Sequence, residues 1–332
     1  MTDVIYSGAP DFEKFWQSLF EASEFAYPLY QTKNIEFYKE YLQPSHSEDL
    51  SFVIVENQVP LAGMKIILHV LEHQRELSCY GLPAVYAEND ELEAIELDKA
   101  HKKIRTEIDQ LIEKHSVQSI LFRDWLPKGR VSVVGKHLLD KGTKAEPYFT
   151  QIISLNKVEN ELYRKVRKSY KSLINWGKKN LQLHYLEPQT VTPKEMEQFH
   201  QLHVHVTGRE TRSEHTLDIQ YEMIRQNEAF GILGELDGEL VTAALFPLSS
   251  KLCMYGVSAS KRELFEKPLS HAVLWKAILY AQEKGCEFFE MGTQLYLNQN
   301  PSTSTKELNI STFKRGFGGE TRVWLNMNWK AE

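Results

Sequence analysis

Apolar residues recur at helical spacing through Phe12, Phe15, Trp16, Leu19 and Phe20, which predicts one or two helices over residues 11–43. Two apolar runs follow, 52–57 and 59–68, around a short polar turn, the pattern of a β-hairpin. A strand is predicted near 77–80, an amphipathic helix over 88–115 and a short strand at 119–123. The second half reads in the same order. Helical patterns at 194–206 and 217–226 precede apolar runs at 230–236 and 240–246, which flank Asp237-Gly238, a strong hairpin signal. A strand at 251–258, a long helix over 268–284 stopped by Gly285, and a strand at 286–291 complete the set.

This repetition of element order, with no obvious identity between the halves, predicts two similar α/β domains. The chain has 332 residues, which also favours two domains. The boundary is placed at 155, giving 1–155 and 156–332. Between them lie an extended segment at 148–155 and a basic helix predicted over 161–179. No run approaches the about 20 apolar residues of a membrane span, and the start Met1-Thr2-Asp3-Val4 lacks the features of a signal peptide. The three cysteines, Cys79, Cys253 and Cys286, have no paired spacing, so a reducing, cytoplasmic setting is expected.

The net charge of −6 is unevenly spread: −8 over residues 1–150 and +2 over 151–332. A mildly acidic whole argues against a general nucleic-acid-coating protein, and no DNA partner is expected. The positive charge concentrates in Arg164, Lys165, Arg167, Lys168, Lys171, Lys178 and Lys179, and no acid lies between Glu161 and Glu187. On one continuous helix, Arg164, Lys168 and Lys171 share a face suited to phosphates. Arg209 and Arg212, on a loop after Gly208, are further phosphate or carboxylate forks. His200, His203 and His205 lack the spacing of a metal set, so no metal is expected. Gly-x-Ser-x-Gly, His-Glu-x-x-His and Cys-x-x-Cys are absent, which leaves hydrolase and zinc readings unsupported.

The basic segment after an extended 149–155, the strand ending Phe288-Phe289-Glu290-Met291-Gly292, and the later Ile310-Ser311-Thr312-Phe313-Lys314-Arg315-Gly316-Phe317-Gly318-Gly319 form a recognisable set. The set resembles the FemABX family of peptidoglycan bridge-forming aminoacyltransferases and their acetyltransferase-like relatives. Two departures are visible: the family strand often ends Asp-x-Gly, where this chain has Glu290-Met291-Gly292, and the coiled-coil arm of some members is absent. The resemblance implies two tandem GNAT-like (acyl-CoA N-acyltransferase) domains, the first degenerate and acceptor-binding, the second catalytic. It also implies a bacterial cell-envelope role and transfer of an acyl or aminoacyl group to an amine, an activity of enzyme class EC 2.3.

The resemblance puts Phe313 and Lys314 at the reaction centre, where the lysine would place a point charge beside an oxyanion or phosphate. Tyr255 can donate a hydrogen bond to a leaving group or carbonyl. Asp124 resembles a family acidic position near the acceptor amine. Gly316 and Gly318 permit close backbone approach to a ligand, and Ser258 and Ser270 are expected beside the donor. The glycine loop that cradles acyl-CoA pyrophosphate is missing from Leu264-Phe265-Glu266-Lys267-Pro268-Leu269-Ser270-His271-Ala272. The donor is therefore left open between acyl-CoA and an aminoacyl-tRNA, and no tightly bound cofactor is expected. The acceptor is expected to be a small-molecule or nucleotide-linked amine. A degenerate, non-catalytic binding module and an enzyme acting on protein N-termini are the other readings.

Overall fold

The computed structural model describes residues 2–24, 26–43, 46–71, 74–210, 212–297 and 302–331. In chain order the first half forms β1 (Thr2–Tyr6), α1 (Phe12–Ala22), α2 (Thr32–Leu42), β2 (Ser47–Asp49), β3 (Phe52–Glu56) and β4 (Val59–Lys65). There follow β5 (Ile67–Leu71), β6 (Gln74–Ser78), β7 (Val85–Glu88), α3 (Ala94–His115), β8 (Ser119–Asp124) and α4 (Val133–Asp140). The second half begins with β9 (Ala145–Ser154), α5 (Glu159–Lys165), α6 (Lys168–Asn180), β10 (Gln182–Leu186), α7 (Pro193–Thr207) and α8 (Glu214–Arg225). It continues with β11 (Ala229–Leu236), β12 (Glu239–Pro247), β13 (Leu252–Met254), β14 (Ser258–Ser260), α9 (Leu269–Glu283), β15 (Phe288–Thr293), α10 (Thr305–Arg315) and β16 (Glu320–Lys330).

These elements gather into two compact units whose sequences interleave. The first holds Met1–Ala26, Leu42–Tyr148 and Val323–Glu332, and the second holds Tyr27–Tyr41 and Phe149–Arg322. A single cut at 155 therefore does not describe the division: nearly all of α2 belongs with the second unit and most of β16 with the first.

In the first unit, β1-β3-β4-β7 form an antiparallel sheet, and β16-β8-β6-β5-β2 run side by side in that order. Asn57 and Gln58, both at positive φ, make the tight turn between β3 and β4. One face of α3 buries Leu97, Ala100, Ile104, Ile108 and Leu111 against Phe52, Ile54, Met64 and Phe122. Each such large apolar side chain stabilises the fold by about 1.5–3 kcal/mol. A reciprocal capping box between Glu93 and Glu96 starts α3, and Ser116 in the left-handed region ends it.

In the second unit, β10-β11-β12-β14 form an antiparallel sheet and β13-β15-β9 a mixed one. Asp237 (φ 54°) and Gly238 (φ 81°) make the predicted hairpin turn, and Gly285 (φ 87°) follows α9 where the helix was expected to stop. Two expectations change. The strand predicted over 251–258 is two short strands, because β13 pairs in parallel with β15 whereas β14 pairs with β12. The basic helix predicted over 161–179 breaks into α5 and α6 at Val166 and Arg167, which adopt extended ψ near 135°. Burial of Val166 and a hydrogen bond from the Arg167 N–H to the Gly316 carbonyl (2.8 Å) fix that break, so Arg164 shares no continuous helix with Lys168 and Lys171. Lys314 lies in the last turn of α10, a helix started by the Ser304–Glu307 capping box. Among the described residues no helix is long and apolar enough to cross a membrane.

Candidate functional site

The second unit opens its sheet at Tyr255. The Tyr255 N–H donates to the Glu290 carbonyl (2.8 Å), the last link between this stretch and β15. Pairing then passes to β12, where the Leu245 N–H donates to the Val257 carbonyl (2.8 Å). Beside the fork lies a cavity of about 370 Å³ lined by Met254, Tyr255, Gly256 and Val257, by Leu245 and Pro247 of β12, by Gln220 and Met223 of α8, by Arg212, and by Leu29, Asn34, Phe37 and Tyr38. Gly256 is needed there. A Cβ at this position would stand 2.6 Å from the Leu245 carbonyl oxygen and 2.7 Å from Pro247 Cδ.

The Tyr255 hydroxyl shares a hydrogen bond of 2.7 Å with Ser258 Oγ, and its ring stacks on Phe246. Burial raises the Tyr255 pKa, against the opposing effect of Ser258, which keeps the phenol protonated and able to donate. In the cavity wall, burial also raises the Tyr38 pKa and lowers that of Arg212, whose guanidinium still remains charged. Arg212 lies over the Phe37 ring at 5.8 Å.

Lys314, at the end of α10, reaches β15 just past the last β13 pair, Met254 with Glu290. Its ammonium donates to the Thr293 carbonyl (3.5 Å) and packs over Gly292, whose φ of 86° places it in the left-handed region. Burial lowers the Lys314 pKa, and the charge of Glu290 partly offsets this. Glu290 is fully buried and accepts from Thr150 Oγ1 at 2.5 Å. This residue thus joins the two halves of the site: its carbonyl holds the Tyr255 backbone and its carboxylate favours the lysine charge. Phe313, next to Lys314, packs among Tyr170, His271 and Phe317 at ring separations of 5.9, 5.3 and 5.4 Å. His271, in the first turn of α9, is held neutral because burial pulls its pKa down to about 4.

The remaining sequence candidates fall elsewhere in the local structure. Ser270 Oγ shares a hydrogen bond with Ser260 Oγ (3.3 Å), which shares another with Thr242 Oγ1 (2.8 Å), a short hydroxyl chain at the start of α9. Gly316 has ordinary helical φ, and a side chain there would collide with the Tyr170 ring. Gly318 (φ 95°) closes on Lys165. These glycines let the chain's own elements approach one another. Arg167 donates to the Thr312 carbonyl (3.2 Å) and lies over Tyr170, while Lys171 donates to the Arg164 carbonyl (3.4 Å) and lies over Tyr163. Lys168 and Arg209 are exposed. His200 and His205 face Glu210 and Glu263.

Asp124 belongs to the first unit and is fully buried. Its carboxylate accepts from the Leu126 N–H (2.9 Å), the Ser132 N–H (2.9 Å) and Ser132 Oγ (2.8 Å). It lines a cavity of about 30 Å³ with Tyr86, Glu88 and Asp90, room for about one water molecule.

Sequence reasoning missed Asn34, Phe37 and Tyr38, which lie far upstream of the rest of the cavity wall. The only available signal was the apolar face of α2, which shows that the helix packs but not against what. It also treated Glu290 only as a departure from a pattern.

No family model and no curated protein matches this chain. Solved structures do resemble it. FemX aligns over 99% of this chain and 97% of its own, with 11% identity and a TM-score of 0.70. The C-terminal domain of a putative lysylphosphatidylglycerol synthetase from Agrobacterium fabrum covers 98% of this chain and 93% of its own, at 11% identity and a TM-score of 0.61. A tandem GNAT protein from the clavulanic acid biosynthesis pathway covers 100% and 99%, at 12% identity and a TM-score of 0.54. The opened sheet of the second unit, the repeated element order and these full-length alignments agree: this chain has the FemX-like tandem GNAT fold.

Proposed function

We propose that the second unit is an N-acyltransferase whose reaction centre is the fork between Tyr255 and Lys314. The observation that carries this reading is the half-buried Lys314 ammonium, held over Gly292 at the end of the strand where the sheet opens. An ammonium has three donors, and the Thr293 carbonyl engages one of them. Among the described residues the others meet no acceptor and can serve an oxyanion as it develops, in a setting where water screens little.

In the reaction, the nitrogen of a neutral amine attacks the acyl carbonyl carbon. A C–N bond forms, and the carbonyl oxygen takes up the negative charge beside Lys314. The carbon–sulfur bond of a thioester, or the carbon–oxygen bond of an aminoacyl ester, then breaks. The proton lost by the amine is balanced by protonation of the leaving group, to which the neutral Tyr255 hydroxyl can donate. The fold shared with FemX and with a tandem GNAT protein supports acyl transfer. The acceptor class this likeness favours is an amine, of a small molecule or of a cell-envelope glycan or its nucleotide-linked precursor, modified in the cytoplasm.

The absent glycine loop before α9 favours a second reading, a binding module without turnover. One variant tests the choice. Lys314→Ala should keep the folded midpoint and lose about 10²–10³-fold in turnover with acetyl-CoA or aminoacyl-tRNA as donor. Full turnover in that variant places the chemistry elsewhere, and saturable binding of neither donor by the unaltered protein favours the module.

A further inference from the structure

The cavity beside Tyr255 has an unusual charge pattern. Arg212 is the one charged residue among those lining it. Tyr38, Tyr41 and His203 are the ionisable groups within electrostatic reach of this guanidinium, and among the described residues no carboxylate pairs with it. A half-buried cation without a counter-ion is costly, and a bound anion removes that cost. Asn34, 1% exposed, lines the same cavity, and its side-chain amide lies close enough to Glu228 to favour that carboxylate's charge. The rest of the wall is largely apolar, with Phe37, Leu29 and Met223.

We infer that this cavity binds a small amine carrying a single carboxylate, an amino acid or a residue of similar size, with the carboxylate on Arg212 and the apolar body against Phe37 and Met223. Size and charge both select this class. A volume of about 370 Å³ is near the lower end for small-molecule sites. A diphosphate carries more negative charge than one guanidinium balances, and the cavity wall offers no second cation. A carboxylate accepts the two parallel N–H bonds of an arginine fork. Tyr255 lies in the same wall, so a ligand anchored at Arg212 can direct its amine toward the fork. Only that last point, the fate of the amine, rests on the acyl-transfer reading.

Binding to the full chain without any acyl donor tests the inference separately from turnover. L-Phenylalanine, L-phenylalaninamide and uridine diphosphate are titrated calorimetrically into the unaltered protein and into Arg212→Gln and Arg212→Lys, with circular dichroism as the check on folding. The acid should bind saturably. The amide and Arg212→Gln should each weaken binding by about 10–100-fold, as for loss of a charged hydrogen bond. Arg212→Lys should retain part of the affinity. The inference is overturned if the amide binds as well as the acid, if folded Arg212→Gln binds normally, if no member of a panel of the common amino acids binds, or if uridine diphosphate displaces phenylalanine. Normal phenylalanine binding alongside full turnover of Lys314→Ala would fault the reaction centre and leave the cavity assignment standing.

Discussion

The two units part their strands at corresponding places. In the first, Ala84 bridges Phe122 in parallel, and the chain then crosses to pair with β4. In the second, Met254 pairs in parallel with Glu290, and the chain then crosses to pair with β12. Two residues beyond the bridge, the first unit has Tyr86 and the second has Gly256. The Tyr86 ring is buried, and its hydroxyl donates to Glu88 at 2.8 Å. The cavities beside the two forks measure about 30 and about 370 Å³. Polar groups follow the same contrast: Asp124 spends its oxygens on its own loop, whereas Arg212 has no carboxylate partner among the described residues. One architecture thus yields a closed fork and an open one: in the first unit Val85 pairs with β4 directly after the Ala84 bridge, whereas in the second residues 255–257 separate the Met254 pair from the Ser258 pair.

The comparison can be broken in several ways. Tyr86→Ala should destabilise the first unit by about 3–5 kcal/mol, the usual cost of emptying a large aromatic site, and leave acyl transfer unchanged. A denaturation midpoint equal to that of the unaltered protein would show that the ring does not hold the first fork closed. Gly256→Ala should cost about 1–3 kcal/mol through overpacking against β12 and should abolish phenylalanine binding. Retained affinity there would remove the glycine from the account of the open fork. Gly292→Ala should cost about 1–2 kcal/mol, because an alanine is strained at this φ. The new Cβ would stand 3.0 Å from the Lys314 ammonium, so turnover should drop further than the stability loss explains.

The smallest effect concerns acid. Folding lowers the His271 pKa from about 6.5 to about 4. Between those values the unfolded chain takes up a proton that the folded chain refuses. The histidine therefore erodes stability as pH falls from about 6.5 to about 4, and adds no further loss below that. His271→Phe should flatten the fall in melting temperature across that window. An unchanged pH profile would mean that the ring is protonated in the folded protein.

Much of the architecture was legible because local chemistry agreed with it. Asp237-Gly238 takes the two positive φ values of a tight hairpin, and Gly285 adopts the left-handed conformation past the end of α9. What escaped was set by distant partners. The helical pattern from 161 to 179 is continuous, yet a hydrogen bond to Gly316, some 150 residues downstream, breaks it. Lys314 and Tyr255 stood out by residue type and resemblance. Asn34 and Tyr38 did not, since nothing in the residues around them shows that this helix joins a core formed mainly by residues 186–259.

Interleaving of the units sets an order on their completion during synthesis. Strand β8 of the first unit pairs with β16, through contacts such as Asp124 with Leu325, and Met327 is fully buried in that unit's core. The ribosome makes β16 after every other element described above. The first unit to begin is therefore not the first that can finish, and the nascent chain must carry a sheet lacking one strand while the whole second unit is translated. A truncation at residue 148 would leave that sheet edge bare, which exposes an edge prone to aggregation.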